Sequence, residues 1–193
     1  MVEFTLPRAD HFEVFHNYWR TLASDAGGVP ARTAFSPAAL KDLLPFIFII
    51  ERRTADDLHI RLAGSAIEQV LGFGTTGKNY LEVCNKADAP FFKQAFTGMA
   101  ETPCGGFFRR DIHMAGGEIY ALNTRCLPFT DKEGNVRYMI GVAGVGGNLV
   151  LTTYDPPVLD FSNITAHHFI DVGFGLPAAD VPLPPAKTTR QDL

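Results

Sequence analysis

Arg61-Leu62-Ala63-Gly64-Ser65 runs straight into a short helical pattern, Ser65 to Leu71. A second glycine-punctuated run follows, Gly72-Phe73-Gly74-Thr75-Thr76-Gly77-Lys78-Asn79-Tyr80. A strand that closes on glycine and turns at once into a helix is a sharp corner, and Ser65-Ala66-Ile67-Glu68 has the spacing of a capping box that would fix the helix start there. Gly72-x-x-x-x-Gly77-Lys78 also matches most of a phosphate-binding loop, in which backbone N–H groups and a lysine hold nucleotide phosphates. The match fails at Asn79, where such a loop needs Ser or Thr to hold magnesium. It fails in context too, because the run follows a helix rather than a strand.

Outward from the corner, the pattern alternates between sheet and helix. Phe46-Ile47-Phe48-Ile49-Ile50 is an unbroken apolar run, predicting a strand buried on both faces. Leu58, Ile60 and Leu62 alternate with His59, Arg61 and Ala63, predicting a half-buried partner across the turn Thr54-Ala55-Asp56-Asp57. Upstream, Phe12, Phe15, Trp19 and Leu22 mark one face of a helix from Ala9 to Ala23. Downstream, Phe91, Phe92, Ala95, Phe96 and Met99 mark another over 88–101, with Pro90 tolerated in its first turn. Three strands then follow, at 105–114, 118–128 and 136–145, separated by Ala115-Gly116-Gly117 and by the polar turn 131–135. Beyond Gly146-Gly147 the pattern weakens, and the prolines 156, 157, 177, 182, 184 and 185 predict a tail whose last dozen residues are disordered.

Two strands, a helical block and three strands, together with Tyr18-Trp19, Val29-Pro30-Ala31-Arg32 and Leu44-Pro45, resemble the fifth PAS family of short bacterial proteins over about residues 10–147. The resemblance implies an α+β PAS fold: a five-stranded antiparallel sheet with helices on one face, and an N-terminal helix packed on the sheet or at a dimer seam. The chain divides accordingly into a helix and linker at 1–33, a PAS core at 34–147 and a C-terminal extension at 148–193. The function implied is a stand-alone sensory or regulatory domain that binds a small ligand or a protein partner and signals through protein contacts. The alternatives are a ligand-free interaction adaptor and, further off, an enzyme on a PAS-like fold.

Composition narrows the classes. One core fits 193 residues, and a hydrophobic fraction of 46% with 20% charged residues is that of an ordinary globular chain. A net charge of −4 offers no basic surface for nucleic acid. The N-terminus lacks the pattern of a signal peptide, and no run approaches the ~18 apolar residues of a membrane helix, so a cytoplasmic protein is expected, without a membrane or nucleic-acid partner. Cys84, Cys104 and Cys126 form no C-x-x-C pair and read as reduced, partly buried thiols. No nucleophile–base signature argues for an enzyme.

Chemistry is expected between sheet and helices. The cavity candidates are Leu62, Ile67, Tyr80, Phe92, Phe96, Phe108, Asn123, Arg125 and Ile140; the dimer-interface candidates are Phe12, Phe15, Trp19 and Leu22. Whether Asn123 and Arg125 face the cavity or lie under the leading helix is left open by the alternation of their strand. Arg109-Arg110-Asp111 reads as a solvated patch, and His167-His168 as surface. The resemblance also implies what is missing. A photoactive flavin domain carries its adduct cysteine directly after a Gly-basic-Asn triplet, and here Tyr80 follows Gly77-Lys78-Asn79. The helix at 88–101 holds no histidine for a haem iron, which argues against haem as well. No metal site is expected.

Overall fold

The apolar run that opens the sheet is covered on both faces because its side chains alternate between two cores. In the computed structural model, which describes residues 4–5, 9–72, 74–146, 150–151 and 159–188, Ile47 and Ile49 join one buried cluster and Phe48 and Ile50 the other. From Ile47 onward the run belongs to β1, Ile47–Thr54, while Phe46 ends the 3-10 helix before it. It lies between β2, Asp57–Ala63, and β5, Val136–Gly146. With β3, Cys104–Met114, β4, Ile119–Thr130, and β6, Leu159–Asp171, these strands form one antiparallel six-stranded sheet in the order β2-β1-β5-β4-β3-β6. Phe4–Thr5 and Val150–Leu151 pair in a separate short ribbon.

Six strands replace the expected five. The additional one, β6, comes from the C-terminal extension and pairs with β3 along its whole length, from Cys104 opposite Asp171 to Met114 opposite Leu159. Without it β3 would be an open edge with unpaired backbone groups.

One face of the sheet carries α1, Ala9–Ala26. Phe12, Phe15 and Trp19 are buried there with Ile49, Leu127, Phe129, Ile140 and Val142, and the Trp19 indole N–H donates to the Pro128 carbonyl at 2.9 Å. Leu22 packs at the margin of the same cluster. The stripe expected on the sheet or at a dimer seam is therefore packed on the chain's own sheet. Among the described residues of this helix the large apolar side chain left facing outward is Val14, 50% exposed.

The opposite face carries α2, Ser65–Leu71, α3, Tyr80–Val83, and α4, Ala89–Glu101. At the corner between β2 and α2, Gly64 takes the N-cap position and donates to the Ile47 carbonyl at 2.8 Å. The expected capping box does not form. Ser65 is exposed and makes no cap bond, while the Glu68 carboxylate accepts from the Thr75 and Thr76 amides at 2.8 and 3.0 Å. These backbone bonds hold Glu68 below its ordinary pKa. Gly77 N–H goes to the Ile60 carbonyl and Lys78 N–H to that of Thr75. In the run that resembles a phosphate loop, the amides of Gly72, Thr75, Thr76, Gly77 and Lys78 are thus held by the protein's own acceptors. Asn79 accepts from the Leu58 and Leu81 amides and donates to the Asp56 carbonyl, tying α3 to the β1–β2 turn.

After β6 the chain continues as a strap. Val172 packs against the α1-side cluster, Pro177 lies against Gly98 of α4, and Val181 packs into the α4-side cluster. Lys187, inside the stretch expected to be disordered, is buried and pairs with Asp88 at 2.7 Å. Asn163 on β6 holds the Lys187 backbone through two bonds, at 2.7 and 2.9 Å. Residues 189–193 lie outside the described residues.

Candidate functional site: a cavity between sheet and helices

The helices do not fill the space above the sheet. A cavity of about 130 Å³ lies between Phe48 and Ile50 of β1, Ile60 and Ala63 of β2, α2, α3, Phe92 and Phe96 of α4, Phe108 and Arg110 of β3, and Leu122, Thr124 and Cys126 of β4. Most of the lining is apolar or aromatic. Tyr80 meets Phe92 edge-on at 5.0 Å between ring centres, and Phe92 and Phe108 lie 5.7 Å apart.

Several polar groups of the lining are already partnered. The Thr124 hydroxyl donates to the Phe108 carbonyl at 3.4 Å, that of Thr75 to Glu68 at 3.5 Å, and the Cys84 thiol to the Leu81 carbonyl at 3.7 Å. Burial pushes the thiols of Cys84 and Cys126 up to about 12, so at neutral pH neither supplies a thiolate nucleophile.

Arg110 is different. Its guanidinium donates to the Tyr80 hydroxyl and stands over the Phe92 ring at 4.8 Å and the Tyr80 ring at 5.7 Å. Its Nε is buried without a hydrogen-bond partner. Burial alone lowers its pKa to about 10, which leaves it charged at neutral pH. Among the described residues Arg110 forms no ion pair; its chain neighbour Asp111 pairs with Arg109 at 3.7 Å. The solvated-patch reading holds for Arg109 and Asp111 and fails for Arg110. Strand alternation gave the signal, since Phe108 was expected at the cavity and residue 110 shares its face.

Of the expected cavity residues, Ile67, Tyr80, Phe92, Phe96 and Phe108 line it, and Leu62, Asn123, Arg125 and Ile140 do not. A bulge at Arg61, where Ile49 pairs with Leu62 and Ile50 with Ile60, breaks the alternation of β2. Leu62 is thereby 37% exposed and Ala63 takes the cavity side. Arg125 lies under α1, bonded to Glu13 at 3.1 Å and 5.5 Å from the centre of the Phe12 ring. Asn123, two residues before it, shares that face. Ile140 is buried in the α1-side cluster.

His167 and His168 are on β6, not on a helix, and point to opposite faces. His168 stacks on Phe107 at 4.7 Å. His167 is half-buried, stacked on Phe108 at 4.9 Å and edge-on to Phe91 at 5.3 Å, and burial lowers its pKa to about 4. The described residues contain no group of three or more His, Cys, Asp and Glu placed to hold a metal. None of their helices is long and apolar enough to cross a membrane.

An antiparallel sheet between helical layers makes this an α+β domain, and the chain belongs to the fifth PAS family: the family profile, described as PAS domain, matches residues 9–143. No curated protein matches. Among solved structures, a light-oxygen-voltage domain studied with a flavin analogue is similar at 17% identity and a TM-score of 0.42, with 57% of this chain and 83% of that one covered. An RNA-binding light-oxygen-voltage receptor is similar at 18% identity and a TM-score of 0.41, covering 57% and 33%. VqmA of Vibrio cholerae, in a complex with ligand and DNA, is similar at 19% identity and a TM-score of 0.44, covering 58% and 52%. The chain thus spans about half the length of VqmA and a third of the RNA-binding receptor.

Proposed function

We propose that the chain is a sensory or regulatory PAS domain that admits a small molecule to the cavity between β1, β3, α2, α3 and α4. In this reading the signal leaves through contacts with a partner protein or a second copy of the chain. The observation that carries it is the cavity itself, a mostly apolar and partly open hollow with two polar groups, Arg110 and Tyr80, converging on it. A photoactive flavin does not fit the residues present. Tyr80 stands where the adduct cysteine is needed, the thiols of Cys84 and Cys126 are held protonated, and about 130 Å³ is well below the roughly 300 Å³ at which cofactor-sized pockets begin.

The ligand-free adaptor is the second reading, and the crowding of Phe92, Phe96 and Phe108 around so small a space favours it. Native mass spectrometry of the freshly purified chain, with and without added small ligands, separates the two. A retained or rebound small molecule in one-to-one ratio is expected; an apo mass under all additions would leave the adaptor.

A further inference from the structure

We propose that the cavity takes a small monocarboxylate with an apolar body, its carboxylate held by Arg110 and Tyr80. The proposal rests on the small-molecule reading above and adds the chemistry of the ligand.

A guanidinium has five N–H donors in a planar fork and no acceptor. At Arg110 the Tyr80 hydroxyl takes a bond from one of them, Nε is buried with none, and the Phe92 and Tyr80 rings offer their faces. Rings attract the charge and leave the in-plane donors unanswered. A cation withdrawn from water in this way is unfavourable unless an anion joins it. The protein supplies no such anion among the described residues, since Asp111 is engaged with Arg109. A carboxylate matches the fork geometrically and accepts two parallel N–H bonds. Because the Tyr80 oxygen accepts from Arg110, its own proton is free to make a further bond to the same carboxylate.

The rest of the lining sets the body of the ligand. Ile60, Ile67, Val70, Phe96 and Leu122 give it no polar partner, so a second charge or a row of hydroxyls would be stranded. The volume of about 130 Å³ is close to the ~150 Å³ of an apolar cavity that takes benzene, which limits the body to about six carbons.

The test is isothermal titration calorimetry of the full chain at pH 7.5 with benzoate and hexanoate against their neutral counterparts, benzyl alcohol and 1-hexanol. The carboxylates are expected to bind at least ten-fold tighter than the alcohols. Arg110→Gln should abolish that preference while alcohol binding persists, and Tyr80→Phe should weaken carboxylate binding several-fold. Alcohols binding as tightly as carboxylates to the wild-type chain would overturn the carboxylate assignment and leave the sensory reading standing. Failure of all four probes to bind would overturn the carboxylate assignment, and the sensory reading is then decided separately by the mass spectrometry above. The wild-type comparison decides the matter even if Arg110→Gln fails to fold.

Discussion

A Cβ on Gly64 would lie 2.3 Å from the Pro45 carbonyl oxygen and 2.5 Å from that of Leu44, so the corner between sheet and helix admits no side chain at all. Backbone has to move for even a methyl group to enter. Gly64→Ala is therefore expected to cost about 1–3 kcal/mol in urea denaturation, as overpacking does. Ser65→Ala, one residue on, should stay within about 0.5 kcal/mol, because the Ser65 side chain makes no cap bond. A second prediction concerns His167. Its pKa is about 4 in the fold against roughly 6.5 in an unfolded chain, so the unfolded state takes up the proton first. The stability it contributes is complete above pH ~6.5 and is lost as the pH falls from there toward 4. His16 and His168 are also lowered and act in the same direction. Replacing the stacked ring by His167→Phe should shrink the fall in denaturation midpoint between pH 7.5 and 5.5; an unchanged fall would show that His167 does not take part.

Among the elements, those with a clean period were legible in the sequence and those with an interruption were not. α4 keeps Phe91, Phe92, Ala95, Phe96 and Met99 on one buried face, and β1 opens on the unbroken apolar run Ile47-Phe48-Ile49-Ile50. β6 is different because the pairing of Arg109 with Ala166 and of Arg110 with Ile164 leaves Thr165 bulged. That bulge breaks the two-residue alternation by which a strand is recognised. The bulge at Arg61 misplaced Leu62 in the same way. The strap shows no sequence signal because it is held by single contacts rather than a periodic face. Its strongest one can be tested. Lys187 and Asp88 are almost wholly buried, with side chains 4% and 3% exposed, so Lys187→Met leaves a buried carboxylate alone and should cost about 3–5 kcal/mol. The double variant Asp88→Asn with Lys187→Met should recover most of that loss. A double variant no better than the single one would show that the two side chains contribute independently.

At the scale of the whole molecule, two layers of helix enclose one sheet. The division of labour between them was only half visible beforehand. The apolar stripe on α1 announced burial, yet nothing in its spacing tells a helix that covers its own sheet from one that covers a neighbour's; in the structure it covers its own, with Trp19 donating to Pro128 of the same chain. The cavity was legible as a location, through Tyr80, Phe92 and Phe108. Its charge was not, because Arg110 lies between Arg109 and Asp111 and reads as part of a surface triplet until the pleat separates them.

The family match ends at residue 143, but the contacts that complete this molecule continue to Lys187. A polypeptide cut at that boundary would keep every residue of the cavity lining and lose the neighbour of β3, the packing of Pro177 on Gly98 and the cation that neutralises Asp88. It would present a naked strand edge to other copies of itself. The segment that defines kinship is thus shorter than the segment whose contacts close the sheet edge and neutralise Asp88, and a recombinant version trimmed to the former is expected to associate through that bare edge.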